Sequence, residues 1–342
     1  MNTRHQSHPD PGSDADPNPL QLIELQFRAA ESRVLTAAVQ LDVFTHIARG
    51  ASTAATVAAA AAADPRAMRM LLDAAAVLGL LRKQGEAYAL TPLSARYLAE
   101  NSPDYLGEGL KLDRHWPGWT HLADAVRAGR PPRAGRPQGE RFAAPALRGM
   151  YAQNRPAAER LGQALSPALP PSARVLDVAC GSAVWSLALA RAQPALRVTA
   201  LDFPPVLELA REFIARENAA AQYEFLPGDM HAVALEPAAY DLILLANVAH
   251  SAGEAKLRQL LHRLAAALRP GGRLAIVDMI PDPERTGPLL PVIFALNLLL
   301  HTEQGDAYTL GQYRAWLEAA GFEPPATIEI GWASPALLAR RR

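Results

Sequence analysis

Four polar residues of the sequence stand at or near the ends of short apolar runs that are typical of buried strands. Asp177 lies in the run ARVLDVA, and Asp202 ends the run LRVTALD 25 residues later. His250 lies just beyond the run YDLILLAN, and Asp278 stands near the end of the run RLAIVDM. Carboxylates and an imidazole can hold a polar ligand by hydrogen bonds and can accept a proton. Their positions therefore indicate an enzyme site.

The residues around Asp177 and Asp202 predict a cofactor that contains a nucleoside. A carboxylate at the end of a second parallel strand can accept hydrogen bonds from both hydroxyl groups of a ribose. A dinucleotide site needs the pattern G-x-G-x-x-G, but the loop after Asp177 reads A-C-G-S-A and offers Gly181 alone. Asp177 would also repel a phosphate, whereas it can hold an ammonium group. S-adenosylmethionine, with ribose, adenine and an amino-acid tail, fits these features.

These residues need a sheet to position them, and the sequence after Pro171 predicts one. Short apolar runs read as strands over 173–179, 196–202, 223–229, 240–247 and 273–279. Helical stretches separate these runs, which indicates a parallel sheet that is covered on both faces. Two weaker strands follow, over 327–331 and 335–341. The expected fold class is α/β, with a Rossmann-like, seven-stranded, mostly parallel sheet.

The chain before the sheet has a different composition and a different pattern of apolar residues. Residues 1–19 are polar, contain four prolines and are predicted to be a disordered tail. Residues 20–103 combine helical stretches with a short hairpin that turns at Gly85, an α-helical, winged-helix-like arrangement. Residues 104–164 are expected to be linker helices and a loop rich in proline, glycine and arginine. Residues 165–342 then form the ligand-binding domain.

Composition excludes several classes of protein. The 342 residues hold 34 Lys plus Arg and 34 Asp plus Glu, so the balanced charge argues against nucleic acid as a partner. The single cysteine, Cys180, excludes a disulfide framework and fits a reducing compartment, so we expect a cytoplasmic protein. No apolar run reaches the roughly 20 residues that span a bilayer, and the polar N-terminus does not read as a signal peptide, so no membrane partner is expected.

Several stretches of the chain carry the motifs of a known family. Two cofactor motifs lie in VLDVACGSAVWSLALARAQPALRVTALDFPPVLELARE. Later motifs are YEFLPGDM, YDLILLANVAH, LRPGGRLAIVDMIPD and GDAYTLGQYRAWLEAAGF. Over most of residues 20–342 the sequence resembles class I methyltransferases of the caffeate/acetylserotonin O-methyltransferase-like family. The resemblance implies S-adenosyl-L-methionine as cofactor, a dimerisation domain at the N-terminus and a homodimer.

The strand ends and the resemblance together predict the residues that bind the cofactor: Asp177, Gly181, Asp202, Phe203, Gly228, Asp229, Met230 and Asn247. Asp202 is expected to bind the ribose hydroxyls, with Phe203 over the adenine. Asp229 is expected to accept a hydrogen bond from the adenine amino group, and Asp177 to meet the amino-acid tail. A helix cap at Asp202 and a simple turn at Asp229 would explain these two residues structurally.

His250 and Asp278 are the predicted catalytic residues. A phenol with a pKa near 10 is a better nucleophile once it is deprotonated, and a histidine can take that proton. The resemblance implies that Asp278 orients the imidazole, and Glu303 or Asp306 are weaker candidates for a second acid. The family's stretch Leu-His-Asp-Trp is replaced here by Ala-His-Ser-Ala, which keeps only the histidine.

The predicted function is methyl transfer from S-adenosylmethionine to a small molecule, with O-methylation of an aromatic hydroxyl group in secondary metabolism as the preferred reaction. Methylation of carbon or nitrogen, by proximity or with a metal at His250 and His301, is a second hypothesis. No metal is expected, because two histidines without a carboxylate partner are weak evidence for a metal site. A non-catalytic cofactor-binding protein is a third hypothesis. A DNA-binding regulator is a fourth, but residues 53–80 present no net positive face.

Overall fold

The computed structural model describes residues 18–111, 116–132 and 144–342. The chain divides into two compact units, Met1–Pro103 and Asp104–Arg342. The predicted tail over 1–19 falls almost entirely outside the described residues, and so does most of the predicted loop before residue 144.

The N-terminal unit consists of one long helix, several short helices and one hairpin. Its elements are α1 (Leu20–Gln40), α2 (Val43–Ala48), α3 (Ala54–Ala60), α4 (Pro65–Val77), β1 (Leu81–Gln84), β2 (Ala87–Leu90) and α5 (Pro92–Tyr97). The Asp64 side chain accepts a hydrogen bond from the Ala67 N–H, and Pro65 is the first residue of α4. Gly85 has a φ of +56° in the turn between β1 and β2. The predicted hairpin is thereby confirmed.

Helix α1 leaves a row of large apolar side chains exposed. Leu22 is 71 % exposed and Phe27 is 64 % exposed, and Leu20, Ile23 and Leu25 are also open to solvent. Isolated exposed apolar residues are ordinary on protein surfaces, whereas a group of them on one helix is typical of an interface. The N-terminal unit thus has a surface suited to a protein partner.

The C-terminal unit holds the sheet and the helices that cover it. Its helices are α6 (Gly107–Lys111), α7 (Trp116–Trp119), α8 (Leu122–Ala128), α9 (Ala144–Leu165), α10 (Val184–Ala192), α11 (Pro204–Arg216), α12 (Glu254–Ala267), α13 (Leu289–His301) and α14 (Leu310–Ala319). Its strands are β3 (Arg174–Val178), β4 (Arg197–Asp202), β5 (Tyr223–Pro227), β6 (Tyr240–Ala246), β7 (Leu268–Val277), β8 (Ala326–Ile328) and β9 (Ala336–Arg340).

The seven strands lie in the order β5-β4-β3-β6-β7-β9-β8. The first five of these are parallel, and β9 runs antiparallel to both β7 and β8. The predicted α/β class and the seven-stranded, mostly parallel sheet are confirmed. The order reverses between β3 and β6, and such a switch point opens a crevice at the carboxyl ends of the strands.

Alternating side chains of the strands pack on the two faces of the sheet. On β6, Leu242 and Leu244 belong to the core under α9, α10 and α11, whereas Ile243 and Leu245 belong to the core under α12 and α14. Both faces are therefore apolar, which explains why the strands read as continuous apolar runs. The side chains at the strand ends are left to form the site.

Two strand boundaries differ from the expected ones by three residues or more. Strand β7 begins at Leu268, five residues earlier than the predicted start, because the segment through Gly271 and Gly272 continues the strand. The predicted strand over 327–331 is shorter and covers Ala326–Ile328. Within the described ranges, no helix is long and apolar enough to cross a membrane.

Candidate active site

The carboxyl ends of β3 to β7 bring the predicted site residues to one edge of the sheet. Val178 pairs with both Leu201 and Leu245, and Ala246 pairs with Val277, so the residues that follow these strands are neighbours. The edge has two parts. We name the residues at and after the ends of β3, β4 and β5 (177–230) the cofactor half, and the residues after β6 and β7 (247–313) the base half.

The loop between β3 and α10 turns through three residues with positive φ. Ala179, Gly181 and Ala183 have φ values of +53°, +56° and +57°. A left-handed conformation costs an alanine roughly 1–2 kcal/mol more than a glycine. A Cβ atom on Gly181 would meet only Leu147, at 3.7 Å. The loop thus keeps a turn that favours glycine at three positions, although two of them are alanine.

Asp202 ties this loop to the end of β4. Its Oδ2 accepts a hydrogen bond from the Gly181 N–H at 2.9 Å, and its Oδ1 accepts one from the Phe203 N–H at 2.7 Å. Asp202 is only 8 % exposed, and burial raises the pKa of its carboxyl, against the effect of the two N–H groups. Phe203 is the N-cap residue of α11, and the helix has no side-chain cap. A capping role for Asp202 is therefore wrong.

Asp177 is buried at the end of β3 with a hydroxyl group as its partner. Ser186 of α10 donates to Asp177 Oδ2 at 2.5 Å, and Tyr223 donates in turn to Ser186 Oγ at 3.1 Å. Asp177 is 1 % exposed, and burial raises the pKa of its carboxyl to about 7, with a smaller increase from Asp202. In the described part of the chain, no cation is among the groups that shift this pKa.

The turn after β5 completes the cofactor half. Gly228 donates its N–H to the Asp202 carbonyl at 3.0 Å, which joins the ends of β4 and β5. The exposed Asp229 accepts from the His231 N–H at 2.8 Å, so a turn role is present alongside any contact with a ligand. Met230 is buried, and its carbonyl accepts from the guanidinium of Arg263 at 2.5 Å. This turn is thereby fixed to α12.

The base half centres on a contact between His250 and Asp278. The Nδ1 atom of His250 lies 2.5 Å from Asp278 Oδ1, which also accepts from the Met279 N–H at 2.8 Å. Tyr313 donates its hydroxyl to Asp278 Oδ2 at 2.6 Å. His250 is 8 % exposed and Asp278 is 1 % exposed. Since Asp278 accepts at both oxygens, the Nδ1 of His250 is the donor in this contact, and its Nε2 takes no part in it.

The backbone at the end of β6 aims His250 at this contact. Asn247 follows β6 with a φ of +54°, and its N–H donates to the Val277 carbonyl at 2.7 Å. His250 then lies in a short 3-10 turn, Ala249–Ser251. The pattern Ser251-x-x-Glu254 resembles a capping box, but Gly253 is the N-cap residue of α12, and Ser251 donates to the Val248 carbonyl instead.

Helix α13 places one aromatic ring against His250 and carries two polar residues further along. The ring of Phe294 meets the imidazole edge-on, with 4.9 Å between the ring centroids. One turn later, Asn297 has a buried Oδ1 atom that finds no hydrogen-bond partner in the described residues. His301 places its Nδ1 2.8 Å from the Asn297 carbonyl. A cluster of three or more His, Cys, Asp and Glu suited to a metal is absent from the described residues.

The two weaker acid candidates do not accept a hydrogen bond from His250. Glu303 is exposed. Asp306 accepts from the Ala307 N–H at 2.8 Å and lies 3.7 Å from Arg285, and its own N–H donates to the His250 carbonyl. Sequence reasoning missed Tyr313 and Asn297, because a tyrosine or an asparagine within a helix does not by itself indicate which residue its side chain meets.

Comparison with known proteins gives one consistent result. Residues 119–323 match the family profile described as the O-methyltransferase domain, and residues 23–100 match the O-methyltransferase dimerisation domain. The chain is 30 % identical over 332 residues to the tetracenomycin polyketide synthesis 8-O-methyl transferase of Streptomyces glaucescens, with coverage of 94 % of this chain and 97 % of that protein.

Two further similarities extend over nearly the whole chain. The sequence is 30 % identical over 325 residues to the 3-hydroxy-5-methyl-1-naphthoate 3-O-methyltransferase of Streptomyces sahachiroi, covering 93 % of this chain and 92 % of the relative. The crystal structure of human N-acetylserotonin methyltransferase in complex with S-adenosylmethionine superposes with a TM-score of 0.81 at 29 % identity. It covers 96 % of this chain and 99 % of that one.

Proposed function

The chain belongs to the S-adenosylmethionine-dependent O-methyltransferase family, and on that premise we propose that it methylates a hydroxyl group of an aromatic small molecule. The reaction belongs to secondary metabolism, and His250 acts as the general base. One observation carries the proposed mechanism: the imidazole of His250 is held through Nδ1 by the buried Asp278, at the sheet edge that also holds the cofactor half.

The residues of the cofactor half fit S-adenosylmethionine. A carboxylate has about four acceptor positions, and Asp202 uses two of them for backbone N–H groups, so it can still accept from a ribose diol. None of the described residues supplies the buried Asp177 with a cation, and the ammonium group of an amino-acid tail would do so. When bound, the cofactor supplies an electrophilic methyl group on a sulfonium.

His250 has the hydrogen-bonding pattern of a base. Its Nδ1–H is held by Asp278, so Nε2 is the atom that can accept the proton of the acceptor hydroxyl. The acceptor oxygen forms its bond to the methyl carbon as the bond between that carbon and sulfur breaks, and the proton stays on Nε2. Asp278 stabilises the resulting imidazolium, because it is a buried anion in direct contact with the ring.

The aromatic nature of the acceptor is the finer part of the proposal. Phe294 lies edge-on to His250 and offers a ring against which a planar acceptor can pack. The buried Asn297 Oδ1, unpartnered within the described residues, offers an acceptor to a hydroxyl or N–H group elsewhere on the molecule. The relatives named for a hydroxynaphthoate and for N-acetylserotonin act on hydroxyl groups of fused aromatic rings, which supports the same class.

We further propose that the protein is a homodimer that works in the cytoplasm. The dimerisation-domain match over 23–100 and the exposed apolar side chains of α1 support the dimer. The one cysteine, Cys180, is free and buried, as expected in a reducing compartment. Light scattering that gives the mass of a monomer, 36.7 kDa, at micromolar protein would contradict the dimer.

The test begins with the cofactor and ends with the product. Calorimetry on cofactor-free protein should show S-adenosylmethionine binding in the micromolar range, about 8 kcal/mol, and no binding of NAD. A panel of phenols should then receive a labelled methyl group, and the matched methyl ethers should not. Methylation of anilines or ring carbons alone would favour carbon- or nitrogen-directed transfer, and binding of NAD alone would overturn the cofactor assignment.

A further inference from the structure

A buried hydroxyl group lies behind the candidate base. Tyr313 is fully buried in α14, 35 residues beyond Asp278 in the chain, and donates to Asp278 Oδ2 at 2.6 Å. The other carboxylate oxygen, Oδ1, accepts from His250 at 2.5 Å and from the Met279 N–H at 2.8 Å. The carboxylate of Asp278 is thus held at both of its oxygens, on one side by the imidazole and on the other by the phenol.

Aromatic rings shield this contact from water. Tyr308 packs edge-on against Tyr313 with 6.0 Å between the ring centroids, and Trp316 does so at 5.9 Å. Burial, together with the charge of Asp278, raises the pKa of Tyr313 well above its ordinary value, so the hydroxyl stays protonated and remains a donor. Asp306, Glu254 and Arg285 also act on this cluster, through their charges on Tyr308.

We propose that Tyr313 is a positioning residue for methyl transfer, which fixes the carboxylate of Asp278 so that Oδ1 faces the Nδ1–H of His250. This inference rests on the proposed role of His250 as general base. A carboxylate that is bound at one oxygen alone can rotate about its terminal torsion, which is broad and roughly two-fold. The bond from Tyr313 to Oδ2 removes that freedom, so the imidazole keeps the tautomer with Nε2 open to the acceptor.

The hydroxyl of Tyr313 also affects the basicity of the pair. A hydrogen bond donated to a carboxylate stabilises its charged form and weakens its attraction for a further proton. Without that bond, Asp278 interacts more strongly with the imidazolium form of His250. The pH at which His250 takes up a proton then rises, and the acidic limb of the activity profile moves with it.

The experiment compares Tyr313→Phe with the matched control Tyr308→Phe. Both substitutions remove one hydroxyl from the same aromatic cluster, but only the first removes the hydrogen bond to Asp278. For Tyr313→Phe we expect a kcat about tenfold lower, a kcat/KM profile whose acidic limb lies at higher pH, and an unchanged Kd for S-adenosylmethionine. For Tyr308→Phe we expect wild-type values of all three.

Several results would overturn the inference. The first is a Tyr313→Phe variant with the kcat and pH profile of the wild type. The second is a lower kcat in Tyr313→Phe without a shift of the acidic limb of the kcat/KM profile. The third is an equal loss of kcat in Tyr313→Phe and Tyr308→Phe together with weaker binding of S-adenosylmethionine. His250→Ala separates this failure from a failure of the proposed function. If His250→Ala is inactive while Tyr313→Phe behaves like wild type, the inference alone is overturned. If His250→Ala keeps the kcat of the wild type, the proposed role of His250 as general base is contradicted as well.

Discussion

The two halves of the site hold buried aspartates in opposite ways. In the base half, Asp278 accepts from an imidazole, a phenol and a backbone N–H group. In the cofactor half, Asp177 accepts from Ser186, and burial raises the pKa of its carboxyl to about 7. The carboxylate of the base half therefore has an imidazole of this chain as its partner, whereas no described cation shifts the pKa of Asp177, and we propose that a ligand supplies one.

The difference shows how a transferase can separate reactivity from binding. A base has to be oriented before the acceptor arrives, because positioning supplies much of the rate. A binding site for a cation instead gains affinity when a buried carboxylate finds its first positive partner. We expect substitutions in the base half to lower kcat, and substitutions in the cofactor half to change affinity and stability.

The largest effect is expected from His250→Ala. Loss of a general base typically lowers the rate 10²- to 10⁴-fold, so kcat should fall at least about 100-fold. The Kd for S-adenosylmethionine, measured by calorimetry, should stay within about twofold, because the substitution leaves the cofactor half intact. The control is His262→Ala, an exposed histidine of α12, which should keep wild-type kinetics. A joint loss of cofactor binding would contradict the separation of the two halves.

Asp202→Asn should act on affinity instead. The amide keeps one acceptor oxygen but presents N–H groups where the carboxylate accepts, so we expect the Kd for S-adenosylmethionine to rise roughly 10- to 100-fold. The kcat at saturating cofactor should stay near wild type. Glu208→Gln, an exposed position of α11, is the matched control. A normal Kd with a reduced kcat would reverse the assignment of Asp202.

The raised pKa of Asp177 predicts that cofactor-free protein is less stable at pH 7 and above than near pH 4. The unfolded chain loses this proton near pH 3.8 and the folded protein near pH 7, so the contribution of Asp177 is full below about pH 4 and is lost as the pH rises to 7. Asp177→Asn should therefore be more stable than wild type at pH 8, by roughly 1–2 kcal/mol, and should lose this advantage near pH 4.

Denaturant unfolding at pH 4.5 and pH 8 measures this difference. Addition of S-adenosylmethionine at pH 8 should stabilise the wild type more than the variant, since only the wild type offers an anion to the ammonium group. Equal destabilisation by Asp177→Asn at both pH values would show that the carboxylate has a packing role alone.

The smallest effect is expected in the loop of the cofactor half. Ala179→Gly removes a side chain from a left-handed residue and should stabilise the protein by about 0.5–1 kcal/mol. Ala215→Gly, at an exposed position of α11, should have the opposite sign and a similar size. Thermal unfolding of the two variants and the wild type measures the difference. A Tm below that of the wild type in both variants would show that the left-handed conformation of Ala179 is not strained.

The sheet was predictable because its signals are local. Each buried strand is an apolar run, and each run ends in the polar residue that the parallel topology then brings to the edge. The pairing of His250 with Asp278, which the family resemblance implies, agrees with that rule, since both residues follow adjacent strands. The pattern Ser251-x-x-Glu254 does not form a capping box, because Gly253, with a φ of +77°, is the N-cap residue two positions later.

The remaining features depend on contacts between distant segments. Tyr313 reads in the sequence as one more apolar position of α14, and only the packing of α14 behind β7 turns its hydroxyl toward Asp278. The same holds for Ser186, whose position in α10 gives no sign that it donates to Asp177. Ala179 and Ala183 have the positive φ that is typical of glycine, and an alanine in the sequence does not indicate such a φ.

The strand order has a consequence for how acceptor preference can change over time. The cofactor half is drawn from residues 177–230 and the base half from residues 247–313, so the two lie on separate stretches of the gene as well as on separate sides of the switch point. Recombination near residue 235 would exchange the base half of two relatives in one event and leave residues 177–230 untouched, with Asn247 the one predicted cofactor-binding residue that is exchanged. We therefore expect that exchange of this segment can change the methylated product while the residues 177–230, which are predicted to bind the methyl donor, stay the same.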